Sequence, residues 1–445
     1  MALKKPNKDW TSPDSYRPIA LLNTIGKIYE GILAKRLRDA AEEHNLLPRC
    51  QMGARKNRST ESALYHIVQQ IQAAWGARAK SRQVVSILSL DMAGAFDRVS
   101  HERLLENLRI RRIPGWLVEC VKSFLSDRTT TLRLGEWESQ AQSVRCGIPQ
   151  GSVLSPILFL FFNASLLDAC QSPAQKITST GFVDDVNLLT YGRSTKENCK
   201  RLGAMQEICE QWARRHGARF EPTKYELIHL TKTPKKFNME EPVRIGAANV
   251  PPKGHIRILG VQIDSILSWR PQIASVIAKA THQMGALTSL SASTWGAGVT
   301  WARRLYLTMV RPVLTYASAI WAPAATDKRR KGQMAALERC QTQALRRVAG
   351  AYRAVHHQVL KKELAIPSLE AYYNQLLLGA EKRWEKKAWC DYTEATVQQA
   401  HTGSTRDVGE STSLNLRRRW AKRTLVSYTP LEYSTQQAKG EWKEY

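Results

Sequence analysis

The stretch that most limits how this chain can fold is TGFVDDVNLLTY, Thr180 to Tyr191, where Asp184 and Asp185 stand side by side between apolar runs. Phe182 and Val183 precede the acids, and Val186, Leu188 and Leu189 follow them. Both flanks suit strands and Asp-Asp favours a turn, so the pattern predicts a tight β-hairpin with the acids at its tip. Neighbouring carboxylates repel, and one is pushed towards protonation unless a cation sits with them. Mg²⁺ would supply that charge, since it takes oxygen ligands from one or two carboxylates plus substrate phosphates. An isolated Asp-Asp is more often a solvated turn, so the pair calls for a third carboxylate from elsewhere.

Asp91 supplies it. The run VVSILSL, Val84 to Leu90, reads as a strand buried on both faces, and it ends on Asp91. AGAFD then leads into a helix expected to begin near Ser100. An acid at the carboxyl end of a buried strand, beside an acidic hairpin, suits two divalent ions in phosphoryl transfer. One ion activates the attacking oxygen and the other stabilises the leaving one.

Charge points the same way. The 66 Lys and Arg outnumber the 39 Asp and Glu, giving a net +27, and such a surplus implies a polyanionic partner. No run of about 18 uncharged apolar residues is present, and MALKKPNKDW lacks the apolar core of a signal peptide. Nucleic acid rather than a membrane is therefore the expected partner, inside the cell. The eight cysteines are scattered with no zinc spacing and read as buried thiols of a reducing compartment. At 445 residues the chain has room for two or three packed subdomains.

Periodicity predicts a helix over 25–44 with Ile28, Ile32, Leu33 and Leu37 inward, and another over 60–75. Two helices are expected within 100–127, broken at Pro114-Gly115, and TTTLRLG (129–135) has strand character. GIPQGSVLSP (147–156) reads as a loop with a helix from Ser152, whose N-terminal N–H groups face an anion. That helix is apolar nearly all round, so it must be buried. Residues 195–216 predict an amphipathic helix with Met205, Ile208, Cys209 and Trp212 inward. From 269 to about 390 the pattern is helical and basic, with Arg303, Arg304, Arg311, Lys328 to Lys331, Arg346 and Arg347 as phosphate contacts.

DMAGAFD (91–97), GIPQGSVLSP (147–156) and FVDD (182–185), in that order, resemble the palm motifs of reverse transcriptases, and most closely those of non-LTR (LINE-type) retrotransposons. The resemblance covers about residues 1–380. It implies an α+β right-hand polymerase: partial fingers over 1–80, and a palm with antiparallel sheet and acidic hairpin over 81–267, interrupted by a fingers segment at about 110–150. A helical thumb and connection follow over 268–395, then a polar tail over 396–445. The implied reaction is RNA-templated addition of deoxynucleotides to a DNA primer 3′-hydroxyl, in the nucleus.

By the same resemblance, Asp91, Asp184 and Asp185, with the Met92 carbonyl, would hold two Mg²⁺ (or Mn²⁺) about 3.5–4 Å apart. Lys5 and Arg17 would grip the triphosphate, Phe96 would lie under the sugar, and Gln150 and Gly151 would contact nucleotide and template base. Lys224 would act on the leaving pyrophosphate. Arg55, Lys56 and Arg58 in QMGARKNRST (51–60) are the expected template contacts, and Leu259-Gly260 in HIRILGVQID (255–264) the primer grip. Related proteins carry more fingers sequence upstream of LKKPNK. The second reading is therefore a truncated, inactive remnant that still binds nucleic acid.

Overall fold

The acidic hairpin expected from the sequence is present, on one side of a four-stranded antiparallel sheet. The computed structural model describes residues 1–5, 9–12, 15–76, 83–246, 248–290, 295–323, 327 and 330–384. The chain divides into one unit of residues 1–67 and 73–254 and another of residues 68–72 and 255–445.

In the first unit, β1 (Ala2–Lys4) pairs with β2 (Tyr16–Pro18), and Arg17 lies opposite Leu3. Helix α1 (Thr24–Glu43) starts at Asn23, whose side chain accepts from the Ile25 N–H, and α2 (Thr60–Trp75) starts at Ser59 in the same manner. Strand β3 (Val84–Leu90) is followed by α3 (His101–Ile110), capped by Ser100, and α4 (Gly115–Leu125), entered through Pro114. TTTLRLG becomes parts of two exposed two-residue ladders, β4 (Thr129–Thr130) with β7 (Gln142–Ser143), and β5 (Arg133–Leu134) with β6 (Trp137–Glu138). Then come α5 (Ser155–Ala169), β8 (Ile177–Phe182), β9 (Asp185–Gly192), α6 (Thr195–His216), β10 (Glu226–Leu230) and the small hairpin of β11 (Val243–Ile245) and β12 (Ala248–Val250).

The sheet order is β10-β3-β9-β8. β3 sits inside it, which is why its run is apolar without alternation. Helix α6 packs on β3 and β9, and α5 lies so close to β8 that a Cβ on Gly181 would stand 2.5 Å from Leu167 Cδ1. Nearly every side chain of α5 from Ser155 to Leu167 is buried, as its all-round apolar sequence demands.

Three expectations need correction. The buried stripe of α1 is Glu30, Leu33, Ala34, Leu37 and Ala41, while Ile25, Ile28 and Ile32 are 77%, 64% and 50% exposed. Two apolar stripes lie side by side on this helix. The one holding Glu30, which accepts a hydrogen bond from Ser152, is the one that docks. Together with Leu21 and Tyr29 the outward isoleucines leave an apolar strip in solvent. Helix α5 begins at Ser155, not Ser152, because the Ser152 hydroxyl accepts from the Leu154 N–H and holds a turn there. Ile208 of α6 is 39% exposed, whereas Met205, Cys209 and Trp212 are buried.

The second unit begins with the hairpin of β13 (His255–Ile258) and β14 (Val261–Asp264). Among the described residues, helices α7 (Arg270–Thr288), α8 (Val299–Leu305), α9 (Arg311–Thr315), α10 (Ser318–Trp321), α11 (Lys331–Val348), α12 (His357–Glu363) and α13 (Leu369–Trp384) follow, with a π-helical turn at Tyr306–Val310. Several of its arginines brace the fold. Arg303 donates to the Leu364 carbonyl at 2.5 Å, Arg346 to that of Val355, Arg347 to that of Met284, and Arg311 lies over the Tyr372 ring. Lys328, Arg329 and everything beyond 384 lie outside the described residues. No described helix is long and apolar enough to cross a membrane. Cys50, Cys170, Cys199, Cys209 and Cys340 are buried free thiols, and Cys146 is exposed.

Candidate active site

The hairpin tip is a two-residue loop, Val183–Asp184, because Phe182 pairs with Asp185. Val183 takes φ +59°, the position that a tight hairpin turn normally gives to glycine. A β-branched residue there is strained by about 1–3 kcal/mol and persists only where its surroundings over-determine it. Those surroundings are visible. Asn163 of α5 donates its side-chain N–H to the Val183 carbonyl at 2.7 Å, and Gln51 donates to Asn163 Oδ1 at 2.5 Å. Met52 N–H donates to the Gly181 carbonyl, and Gly181 N–H to that of Cys50, so residues 50–52 lie as a short strap along β8. A Cβ on Gly53 would stand 2.7 Å from Val183 Cγ2.

Asp91 follows β3, whose Leu90 pairs with Val186, so the same register carries Asp91 across from Asp185. Burial raises the Asp184 carboxyl above its ordinary range, its own backbone N–H opposes that, and the charge of Asp91 adds to the rise. Arg17 and Lys224 pull it back. Asp185 is pushed up to about 6, by burial first and then by Asp184 and Asp91. Lys224 Nζ lies 2.7 Å from Asp91 Oδ2. The Asp91 carbonyl accepts from Glu221 N–H, and Ala93 N–H donates to the Arg219 carbonyl. Met92 itself bridges Phe220 in antiparallel register.

Among the described residues, no three His, Cys, Asp or Glu side chains close into a ready-made metal cage. The donor set still fits Mg²⁺. It is all carboxylate and carbonyl oxygen, the charge of Asp91 raises the proton affinity of both Asp184 and Asp185, and Mg²⁺ takes one or two carboxylates and fills its shell with water and phosphate.

The nucleotide loop is tied to the Asp91 segment. Gly147 (φ +87°) donates to the Val99 carbonyl, its own carbonyl contacts His101 Nε2 at 2.8 Å, and a Cβ would meet the Asp97 carbonyl at 2.7 Å. Gln150 Nε2 donates to both Asp97 carboxylate oxygens at 3.0 and 3.2 Å, and its carbonyl accepts from Ala20 N–H. Gly151 takes φ +114°, and a Cβ there would stand 2.7 Å from the Ala20 carbonyl. Phe96 stacks on core Phe159 at 5.1 Å while keeping part of its surface in solvent. Arg17 is exposed on β2, and Lys5 follows β1 with its N–H on the Ser15 carbonyl.

Of the three expected template contacts, Arg55 must be corrected. Its side chain is buried, donates to both Glu42 carboxylate oxygens at 2.7 and 2.8 Å and to the Pro48 carbonyl, and is no phosphate ligand. Arg58 donates to the carbonyls of Arg49 and Gln51. Lys56 is exposed and lines a groove of about 540 Å³ with Lys35, Arg38, Val153 and Pro156. Leu259 (φ +46°) and Gly260 (φ +83°) form the β13–β14 turn in the second unit, where Tyr316 OH donates to the Leu259 carbonyl at 2.8 Å. Sequence reasoning missed Gln51, Gly53, Asn163 and Asp97. The QMG run was a signal, read for the charges after it rather than for its glutamine and glycine.

Comparisons with known proteins bear on the family of the chain. The family described as reverse transcriptase (RNA-dependent DNA polymerase) matches residues 3–263. A relative in Drosophila melanogaster, named "Probable RNA-directed DNA polymerase from transposon BS", is 26% identical over 377 residues, covering 83% of this chain and 40% of that protein. The RNA-directed DNA polymerase from mobile element jockey of the same fly is 24% identical over 370 residues, covering 82% and 39%. The chain thus spans about two fifths of the length of these relatives. Among solved structures, telomerase from Candida tropicalis overlaps 90% of this chain and 56% of its own at a TM-score of 0.43 and 12% identity. With the family's pattern running through residues 3–263 of 445, more than half of its length, this chain belongs to the reverse transcriptase family.

Proposed function

We propose that this chain is the polymerase of a non-LTR retrotransposon, a right hand of fingers, palm and helical thumb that extends a DNA primer on an RNA template in the nucleus. The observation that carries this reading is the strand register that brings Asp91 across from Asp185 beside the hairpin tip that holds Asp184, with both hairpin carboxyls feeling the charge of Asp91. Two Mg²⁺ (or Mn²⁺) bound there would supply the charge that activates the primer 3′-oxygen and stabilises the leaving one. The protein's own share is positioning. Asp91, Asp184 and Asp185 would hold the cations, with the Met92 carbonyl as a further oxygen donor. Arg17 and Lys5 bind the triphosphate, and Arg17 already acts on Asp184 through its charge. Gln150 and Gly151 line the nucleotide, Phe96 offers a ring for the sugar to lie on, and Lys224 stands ready to protonate or neutralise the pyrophosphate. Lys56 follows the template backbone, and Leu259-Gly260 bear on the primer.

Primer extension on poly(rA)/oligo(dT) with Mg²⁺, beside an Asp184→Asn, Asp185→Asn double variant, tests this. Incorporation is expected from the parent alone. Silence from both, with salt-sensitive duplex binding retained, would leave a nucleic-acid-binding remnant.

A further inference from the structure

Gln51 and Asn163 are both fully buried, yet both are polar, and they lie 112 positions apart in the chain. Their hydrogen bonds run in one direction. Gln51 Nε2 donates to the Leu160 carbonyl at 3.2 Å and to Asn163 Oδ1 at 2.5 Å, and Asn163 Nδ2 donates to the Val183 carbonyl at 2.7 Å. A carbonyl accepts only, so this last bond decides which way the Asn163 amide faces, and that in turn decides the Gln51 amide. The arrangement leaves Gln51 Oε1 buried with no partner. A buried, unpaired acceptor weakens a fold, and keeping one needs a reason.

The reason lies at the end of the relay. Val183 is the turn residue with φ +59°, directly before Asp184 and Asp185. Nothing in a valine favours that backbone; a glycine would adopt it freely. Three contacts hold it there: Asn163 on the Val183 carbonyl, the missing side chain of Gly53 beneath its Cγ2 and N, and the strap of residues 50–52 along β8. If the turn relaxed, the two carboxylates would swing with it, since Asp184 is the other half of the loop and Asp185 closes it.

We propose that Gln51 and Asn163 are positioning residues, a buried amide relay that holds the Val183–Asp184 turn in its left-handed form and so aims the two hairpin carboxylates at their cations. The assignment rests on the polymerase reading, in which those carboxylates hold Mg²⁺. It makes a claim that no general loss of stability can imitate: the need for Asn163 depends on the side chain at position 183. With glycine there, the turn needs no restraint.

The experiment uses the full chain with Asn163→Leu, the paired apolar replacement Gln51→Met/Asn163→Leu, and each of these with Val183→Gly added. Three quantities are read: kcat and KM for single-nucleotide incorporation, Mg²⁺ affinity of the protein by calorimetry, and Tm. Asn163→Leu is expected to lower kcat at least tenfold, with KM for the nucleotide within twofold, and to weaken Mg²⁺ binding in step. The paired replacement removes the orphaned acceptor along with its neighbour, so it should keep a Tm near that of the parent while losing as much rate. Adding Val183→Gly should restore at least fivefold of the lost kcat and Mg²⁺ affinity. A kcat for Asn163→Leu within twofold of the parent would overturn the relay, as would a loss that follows Tm and is not recovered by Val183→Gly. Should the parent itself incorporate nothing, the polymerase reading falls, and Mg²⁺ affinity alone decides the relay: weakened by Asn163→Leu and recovered by Val183→Gly, or refuted.

Discussion

Asp185 carries a conflict between folding and function that pH exposes. Its carboxyl is pushed from an ordinary 3.8 to about 6 by burial and by the charges of Asp184 and Asp91. Well below pH 3.8 both the folded and the unfolded chain hold the proton, and Asp185 takes nothing from stability. As pH rises towards 6 the unfolded chain releases the proton while the folded one keeps it, so stability falls across that window and the full penalty stands above it. Asp185→Asn should therefore raise Tm at pH 7 to 8 and leave it nearly unchanged at about pH 2.5, as a thermal scan at the two pH values would show. Added Mg²⁺ should stabilise the parent and not the variant, since binding to the folded state alone shifts the equilibrium. At this scale the sequence was legible wherever chemistry is local: three aspartates on the ends of apolar runs, and glycines where backbone meets backbone. It was not legible where partners are distant. Nothing in QMG or in FFNAS announces that residue 51 hydrogen-bonds residue 163 under a valine at 183.

Between the elements, neighbouring arginine and lysine have parted company. Arg55 ties the loop before α2 to Glu42 of α1, with 3% of its side chain exposed against 32% for Glu42, while Lys56 faces the groove. Arg55→Ala should cost about 2–3 kcal/mol of stability, somewhat below a fully buried pair because Glu42 keeps a third of its surface in water. Lys56→Gln should leave Tm alone, weaken template–primer binding, and lower the salt slope by about one. Chemical denaturation and fluorescence anisotropy separate the two outcomes. Strand and helix periods were readable in the sequence because β3 and α5 bury the faces their patterns declare, and α6 buries all of its expected face but Ile208. The rotation of α1 was not, because Ile25, Ile28 and Ile32 are as apolar as Leu33 and Leu37. Only the polar contact of Glu30 with Ser152 distinguishes the stripe that docks.

Across the whole molecule the net charge of +27 dominates association. Raising salt from about 50 to 200 mM should weaken binding to an RNA–DNA duplex at least about a hundredfold, with log Kd linear in log salt, measured by anisotropy or filter retention. Basic residues of the second unit that looked like duplex contacts, Arg303 and Arg347 among them, hold carbonyls of their own unit instead. Composition reports how much charge a chain has but not where the fold employs it. The apolar strip formed by Leu21 and the outward face of α1 up to Ile32 has a consequence of another kind, in the handling of the protein. Freeing so basic a chain from bound nucleic acid calls for concentrated salt. The same salt screens the repulsion that keeps the molecules apart and strengthens the attraction between their exposed isoleucines. The purest preparations would then be the ones most prone to cloud, and the salt that cleans the protein must be lowered before the protein is concentrated.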